Sequence, residues 1–264
     1  MKTTSILNLK GGVGKTITAV NLAYNLATTH NQRTLLIDTD KQASTTKFFD
    51  LHNPATAGIT EILINEQPVA SQILKTQYAN LHLISSNMNT MNASRIINQD
   101  LLNPREYRLK NALKSIQENY DYCIIDNPPD LEMSTVNALT ASDNVIIPIK
   151  IDKFAFDGLF EIITSIQQLQ QVNPKLHILG CFLTMVSNTT ADKQGIQWLK
   201  SQQNLPTFET TIRKTTKVNE STFVSQPLTE YAKKNPLAKT AAADYLALTA
   251  EIMHKIKEES QNGI

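Results

Sequence analysis

Short runs of consecutive apolar residues alternate along the chain with longer stretches of helical period. The runs are Thr4–Leu9, Thr34–Asp38, Leu81–Ser85, Tyr122–Asp126, Val145–Ile149 and Ile178–Val186. Several are apolar throughout rather than at alternate positions, as expected of strands covered on both faces. Between them, Lys15–Thr28 places Ala19, Leu22, Ala23, Leu26 and Ala27 on one helical face. Arg105–Asn119, Ser134–Ala141, Phe154–Gln171 and Asp192–Gln203 also read as helices. A last helix over Pro236–Glu259 opens on Pro and repeats Leu237, Ala241, Tyr245, Leu248 and Ile252 at helical spacing. This alternation predicts an α/β fold, a doubly wound, mostly parallel sheet flanked by helices with right-handed crossovers. With no repeat or linker interrupting it, residues 1–264 are expected to form one domain, with 260–264 a flexible tail.

Composition narrows the chemistry. Only 8 of 264 residues are Gly, yet Gly11, Gly12 and Gly14 fall within four positions. Backbone freedom is concentrated where something must approach the main chain closely. Cys123 and Cys181 are the 2 cysteines and lie in separate apolar runs, which argues against a disulfide framework or a four-ligand zinc site. The N-terminus lacks the apolar core of a secretion signal, and no run approaches the ~18 apolar residues of a membrane span. A cytoplasmic protein is expected. The formal net charge of +1 excludes a constitutive polycation.

The strongest local signal is Lys10-Gly11-Gly12-Val13-Gly14-Lys15-Thr16, placed after a strand and before a helix. Glycines here let successive N–H groups converge on an anion, and the helix N-terminus adds its dipole. Lys15 would neutralise phosphate charge and the Thr16 hydroxyl would ligate Mg²⁺, with Ile17 closing the loop. The first Gly of the usual G-x-x-x-x-G-K-[ST] pattern falls on Leu9, and an additional Lys10 opens the loop. Such a loop needs carboxylates at the ends of neighbouring strands. Asp38 and Asp40 end one strand; Asp126, in Ile125-Asp126-Asn127-Pro128-Pro129, ends another. Strand-end Asp residues can also serve merely as helix caps.

The loop resembles the deviant Walker A motif of the ParA/MinD family of P-loop ATPases, and Asp38-Thr39-Asp40-Lys41-Gln42 and the Asp126 segment resemble its acidic motifs. The resemblance continues through Asn137-Ala138-Leu139, Phe154–Leu159, Thr184-Met185-Val186 and Thr211–Ser221. It implies ATP and Mg²⁺ as ligands. Lys10 would reach across an ATP-dependent homodimer, Asp40 would polarise the attacking water, and Asp38, Asp126 and Thr16 would serve the metal. Phe154 and Phe156 would be packing or dimer-contact residues, and the two late segments would lie near the adenine. The chain departs from the family pattern at Lys41, where Pro is usual, at Ile17, where a second Thr is common, and at Arg213, where Pro commonly precedes the base. None of these removes a phosphate or metal ligand.

Charge separates the branches of that family. From Lys193 to Lys239 eight basic residues face three acids, a local +5 that leaves −4 elsewhere. The resemblance to the ParA branch implies nonspecific binding of double-stranded DNA through this region, with Arg213, Lys214 and Lys217 the candidates, and nucleoid association of the ATP dimer. It also implies a ParB-like, centromere-binding partner that stimulates hydrolysis. A solvated basic face is the alternative for any single residue. The C-terminal segment Met253–Ile264 mixes acids with Lys and lacks aromatics, a poor membrane anchor. A MinD-like positioning ATPase acting on a membrane or protein assembly is the alternative function.

Overall fold

The protein, seen in a computed structural model, is described over residues 1–56, 58–100, 104–152, 155–202 and 204–262. Seven strands occur in chain order as β1 (Lys2–Ile6), β2 (Thr34–Asp38), β3 (Ile73–Lys75), β4 (Leu81–Ile84), β5 (Tyr122–Asp126), β6 (Asn144–Lys150) and β7 (His177–Thr184). The helices are α1 (Lys15–Tyr24), α2 (Ser44–Phe48), α3 (Gly58–Leu63), α4 (Ala93–Gln99), α5 (Arg108–Leu113) and α6 (Met133–Thr140). They continue as α7 (Ala155–Leu169), α8 (Thr190–Ser201), α9 (Thr216–Phe223), α10 (Leu228–Lys234) and α11 (Lys239–Asn262). The sheet order is β3-β4-β2-β5-β1-β6-β7, with every pairing parallel except β3 against β4.

Both faces of the sheet are covered, which explains the uninterrupted apolar strands. In β2 and β5, Leu36 and Ile124 pack with Leu22 of α1, Leu26 of the turn that follows it, and Tyr245 and Leu248 of α11. Their neighbours Leu35, Ile37, Cys123 and Ile125 pack on the opposite side with Ile59, Leu63, Ile97 and Leu109. In β6 and β7 the same alternation sends Val145, Ile147, Cys181 and Leu183 against Leu159 and Ile162 of α7. The apolar face read in α1 is buried as expected.

Several boundaries differ from the sequence reading. β1 ends at Ile6, because its pairing with β5 stops at Ile6–Asp126 and Leu7–Leu9 already belong to the loop beyond. β7 stops at Thr184, where Met185 turns left-handed with φ of 57°. Helix α1 gives way to a π-turn over Asn25–Thr29, and the helix expected over Arg105–Asn119 shrinks to α5 with a following 3-10 turn. Leu237, expected on the buried face of the last helix, is 76% exposed in a 3-10 turn (Pro236–Ala238) that precedes α11. Residues 260–262, read as the start of a tail, continue α11. Phe154, Gln203 and the side chain of Phe156 lie outside the described residues. Short α2, α3, α4, α9 and α10 and the edge strand β3 escaped the sequence reading.

Leu22 is 1% exposed and bridges α1 to the central strands. Leu22→Ala is expected to cost about 2–5 kcal/mol. In urea unfolding this should lower the midpoint without altering the slope.

Candidate functional site

The parallel register places the candidate residues together. Asp38 is the cross-strand partner of Asp126, and Asp126 is the partner of Ile6 at the end of β1. The chain leaving β1 therefore forms its glycine loop directly over two carboxylates. Gly12 and Gly14 adopt φ of 71° and 92°, conformations that a side chain would strain. Beyond the adjacent residues, no atom lies within 4 Å of where a Cβ of Gly11 or Gly12 would sit, so that side of the loop faces open space. Gly14 is the residue before α1, which points its N-terminus into the loop. Val13 is buried, and its carbonyl accepts a 2.9 Å bond from the Thr184 hydroxyl, tying the loop to the end of β7.

Lys15 is 8% exposed and its Nζ donates to the carbonyls of Asn8 and Lys10 at 2.9 and 3.1 Å. Burial lowers its pKa, while Asp126, Asp40 and Asp130 act to keep it charged. Asn8 in turn is anchored to the Pro148 carbonyl at 2.7 Å and accepts from Lys10 N–H at 2.9 Å. The Lys10 ammonium contacts Asp152 at 2.6 Å. An ammonium inside a loop of backbone donors is the arrangement that binds a polyphosphate.

The carboxylates are buried to different ends. Asp38 Oδ2 accepts from both the N–H and the hydroxyl of Thr46, at 2.8 and 2.7 Å, and Oδ1 accepts from Asp40 N–H at 3.1 Å. Asp126 Oδ2 accepts from the Thr45 hydroxyl at 2.7 Å, whereas its buried Oδ1 has no hydrogen-bond partner of acceptable geometry. Burial first, and for Asp38 the neighbouring Asp126, push both pKa values up; hydrogen bonds, and at Asp126 the nearby Thr16 and Lys15, oppose the rise. An unsatisfied buried carboxylate oxygen close to Thr16, beside a second carboxylate, fits a hard divalent cation such as Mg²⁺. Asp40 is half-buried, lines the cleft and accepts from Gln42 N–H at 2.9 Å. The tandem threonines were missed in sequence because a short helix has no period to betray it.

The loop opens onto a cleft of about 650 Å³ lined by Gly11, Gly12, Lys15, Thr16, Asp40 and Phe48. An adjoining chamber of about 460 Å³ shares Gly14, Ile17, Met185, Val218 and Asn219 with it, and adds Ile212 and Tyr245. The first chamber carries Lys15, Asp40 and Lys47; the second sets Ile17, Met185, Ile212 and Val218 beside Arg213, Lys214 and several threonines. A cavity of about 690 Å³ between α7 and α8 is larger, but its lining, including Phe160, Ile163 and Trp198, contains no Lys or carboxylate.

The basic candidates divide. Arg213 is exposed but held by Asp244, at 3.0 and 3.1 Å from Nε, and Lys217 is held by Glu220 at 2.7 and 2.8 Å. Lys214 is exposed between them and, like Arg213, lines the second chamber.

A glycine loop joining a central parallel strand to a helix, with a buried lysine and strand-end carboxylates, defines a P-loop fold built to hold nucleotide phosphates. A family model described as "AAA domain" matches residues 1–178. The chromosome partitioning protein ParA of Myxococcus xanthus is 34% identical over 254 residues, 95% of this chain and 87% of its own. The chain belongs to the ParA family of P-loop ATPases. A plasmid partition protein of Borrelia burgdorferi, solved with AMPPNP, is 27% identical, covers 98% of this chain and 99% of its own, and superposes with a TM-score of 0.78. Cobyrinic acid a,c-diamide synthase of Mycobacterium smegmatis, solved with ADP and magnesium, shares 26% identity with a TM-score of 0.81, covering 97% and 96% of the two chains. One fold thus serves different chemistries, and the site must decide between them.

Asp126→Asn removes a buried charge that Asp38 repels and leaves Thr45 an acceptor. A carboxylate with a raised folded-state pKa favours the folded state at low pH, an advantage lost as pH rises through that pKa. Asp126→Asn is therefore expected to stabilise the nucleotide-free chain, and by more at pH 8 than at pH 5. Thermal melts without Mg²⁺ at the two pH values check this.

Proposed function

We propose that this protein is an ATP-dependent partition ATPase of the ParA type. The observation that carries the reading is the loop Gly11–Thr16 with Lys15 at its centre, set over the Asp38–Asp126 pair. The chamber lined by Lys15 and Asp40 takes the triphosphate and the adjoining one the adenine, against Ile17, Met185 and Val218. Lys15 offsets charge on the β- and γ-phosphates, the N–H groups of Gly11–Gly14 cradle them, and Asp40 orients the attacking water. Thr16, Asp38 and Asp126 hold Mg²⁺ directly or through its water; when bound, the ion neutralises charge on the phosphate oxygens.

In the proposed cycle, ATP closes a homodimer, and Lys10 exchanges Asp152 for the partner's phosphates. The paired basic regions then bind double-stranded DNA nonspecifically, the nucleoid-associated state. A ParB-like, centromere-bound protein stimulates hydrolysis and dissolves the dimer. Two features support a DNA rather than a membrane target. Lys214 is exposed beside Arg213 and Lys217, and α11 buries Ile252 and Ile256 in the core instead of presenting them outward. No helix among the described residues is long and apolar enough to cross a membrane.

Lys15→Ala is expected to abolish binding of a fluorescent ATP analogue. Lys10→Ala should retain that binding while losing ATP-dependent dimerisation in sedimentation velocity, and Asp40→Ala should accumulate an ATP dimer. For DNA, Lys214→Gln should weaken retention of the ATP dimer on duplex irrespective of its sequence. The slope of log affinity against log salt should fall by about one per chain. Lys217→Gln, whose charge is already spent on Glu220, should change it less.

A further inference from the structure

Helix α2 is a single short turn, Ser44–Phe48, entered through Ala43 in the left-handed conformation with φ of 54°. It carries two adjacent threonines, both 0% exposed. Successive helical residues point about 100° apart, so they cannot serve the same neighbour. Here they serve two. The Thr45 hydroxyl binds Asp126 on β5, and the Thr46 hydroxyl binds Asp38 on β2. The proton positions follow from the partners. Ser86 N–H can only donate, and it reaches Thr46 Oγ1 at 2.9 Å, so the Thr46 proton is directed to Asp38. The carboxylates themselves are adjacent strand partners, and each has one oxygen occupied by the same turn of helix. The consequence is asymmetric. Asp38 has both oxygens engaged, whereas Asp126 keeps Oδ1 unpartnered. The same turn supplies Ser44, Lys47 and Phe48 to the cleft wall.

We propose that Thr45 and Thr46 are positioning residues that lock the two carboxylates in one orientation each. Thr45 holds Asp126 so that Oδ1 is preset for a hydrated divalent cation. Thr46 fixes Asp38 and anchors α2 to the end of β4. Together they tie the cation site rigidly to the part of the cleft wall that faces the nucleotide. The inference rests on the cleft binding a Mg²⁺–nucleotide complex, and the test separates failure of either.

The probe is Mn²⁺ in place of Mg²⁺, titrated by electron paramagnetic resonance into the full chain with ADP. ADP affinity in EDTA and the melting temperature are measured in parallel. Thr45→Val keeps the shape and loses the donor. It is expected to weaken Mn²⁺ binding about 10–100-fold with ADP affinity in EDTA unchanged, and Thr45→Ser should restore the parent value. Should Thr45→Val lower the melting temperature, Thr45→Ala is measured at a temperature where it is folded and must show the same loss. Parent-like Mn²⁺ affinity in a folded variant lacking the hydroxyl overturns the proposal, as does a Thr45→Ser variant as weak as Thr45→Val. If the parent chain binds neither ADP nor Mn²⁺, the nucleotide reading itself fails.

Discussion

Two carboxylates, Asp38 and Asp126, sit side by side at the ends of neighbouring strands, shielded from water. Burying one unpaired negative charge is costly, and burying two side by side is more so. The surrounding structure is arranged to hold them: Lys15 above, the tandem threonines of α2 at one side, and backbone N–H groups of Thr46 and Asp40 on the remaining lone pairs. What is left uncompensated is one oxygen of Asp126. A site that is nearly but not fully satisfied in the free chain gains most from a divalent cation, and its neighbours Thr16 and Asp40 line the nucleotide cleft.

The same economy of polar contacts links the loop to the C-terminal helices. Helix α1 begins at the loop, and its inner face is apolar except for a buried polar seam. Asn21 accepts from Leu228 N–H at 2.7 Å, and Asn25 bonds the hydroxyls of Thr229 and Thr249 at 2.8 and 3.2 Å. Tyr24 donates to Glu230, which also holds Lys233. Fully bonded buried amides specify one seating of α1 on α10 and α11, where an apolar face alone would tolerate sliding. The π-turn at Asn25–Thr29 lies where this seam ends. The elements bearing the exposed lysines are thereby seated on the helix that starts at the phosphate loop.

The loop and its acids were legible because their chemistry is local: glycines at fixed offsets and aspartates after apolar runs. The doubly wound sheet was legible because strands covered on both faces leave a continuous apolar signature. Short elements were not. Helix α2 has five residues, too few for a period, and its entry through a left-handed Ala43 breaks the glycine rule a reader would apply. Leu237 misled for the opposite reason. It falls in step with the last helix, yet Pro236 and the Asn235 side chain set a 3-10 turn that carries it outward.

By itself the sequence determined that a phosphate loop and two acidic strand ends would share one sheet edge, because parallel α/β order leaves strand C-termini on the same side. Which acids would stand side by side, and which oxygen would remain free, was a matter of register between β2 and β5 and of the reach of two threonines. Charge followed the same division. Counting residues located a basic region, but only side-chain geometry revealed that Asp244 and Glu220 engage Arg213 and Lys217 while Lys214 stays exposed. A pattern along the chain records what each residue can do; which partner it finds depends on distances between segments the pattern treats as unrelated.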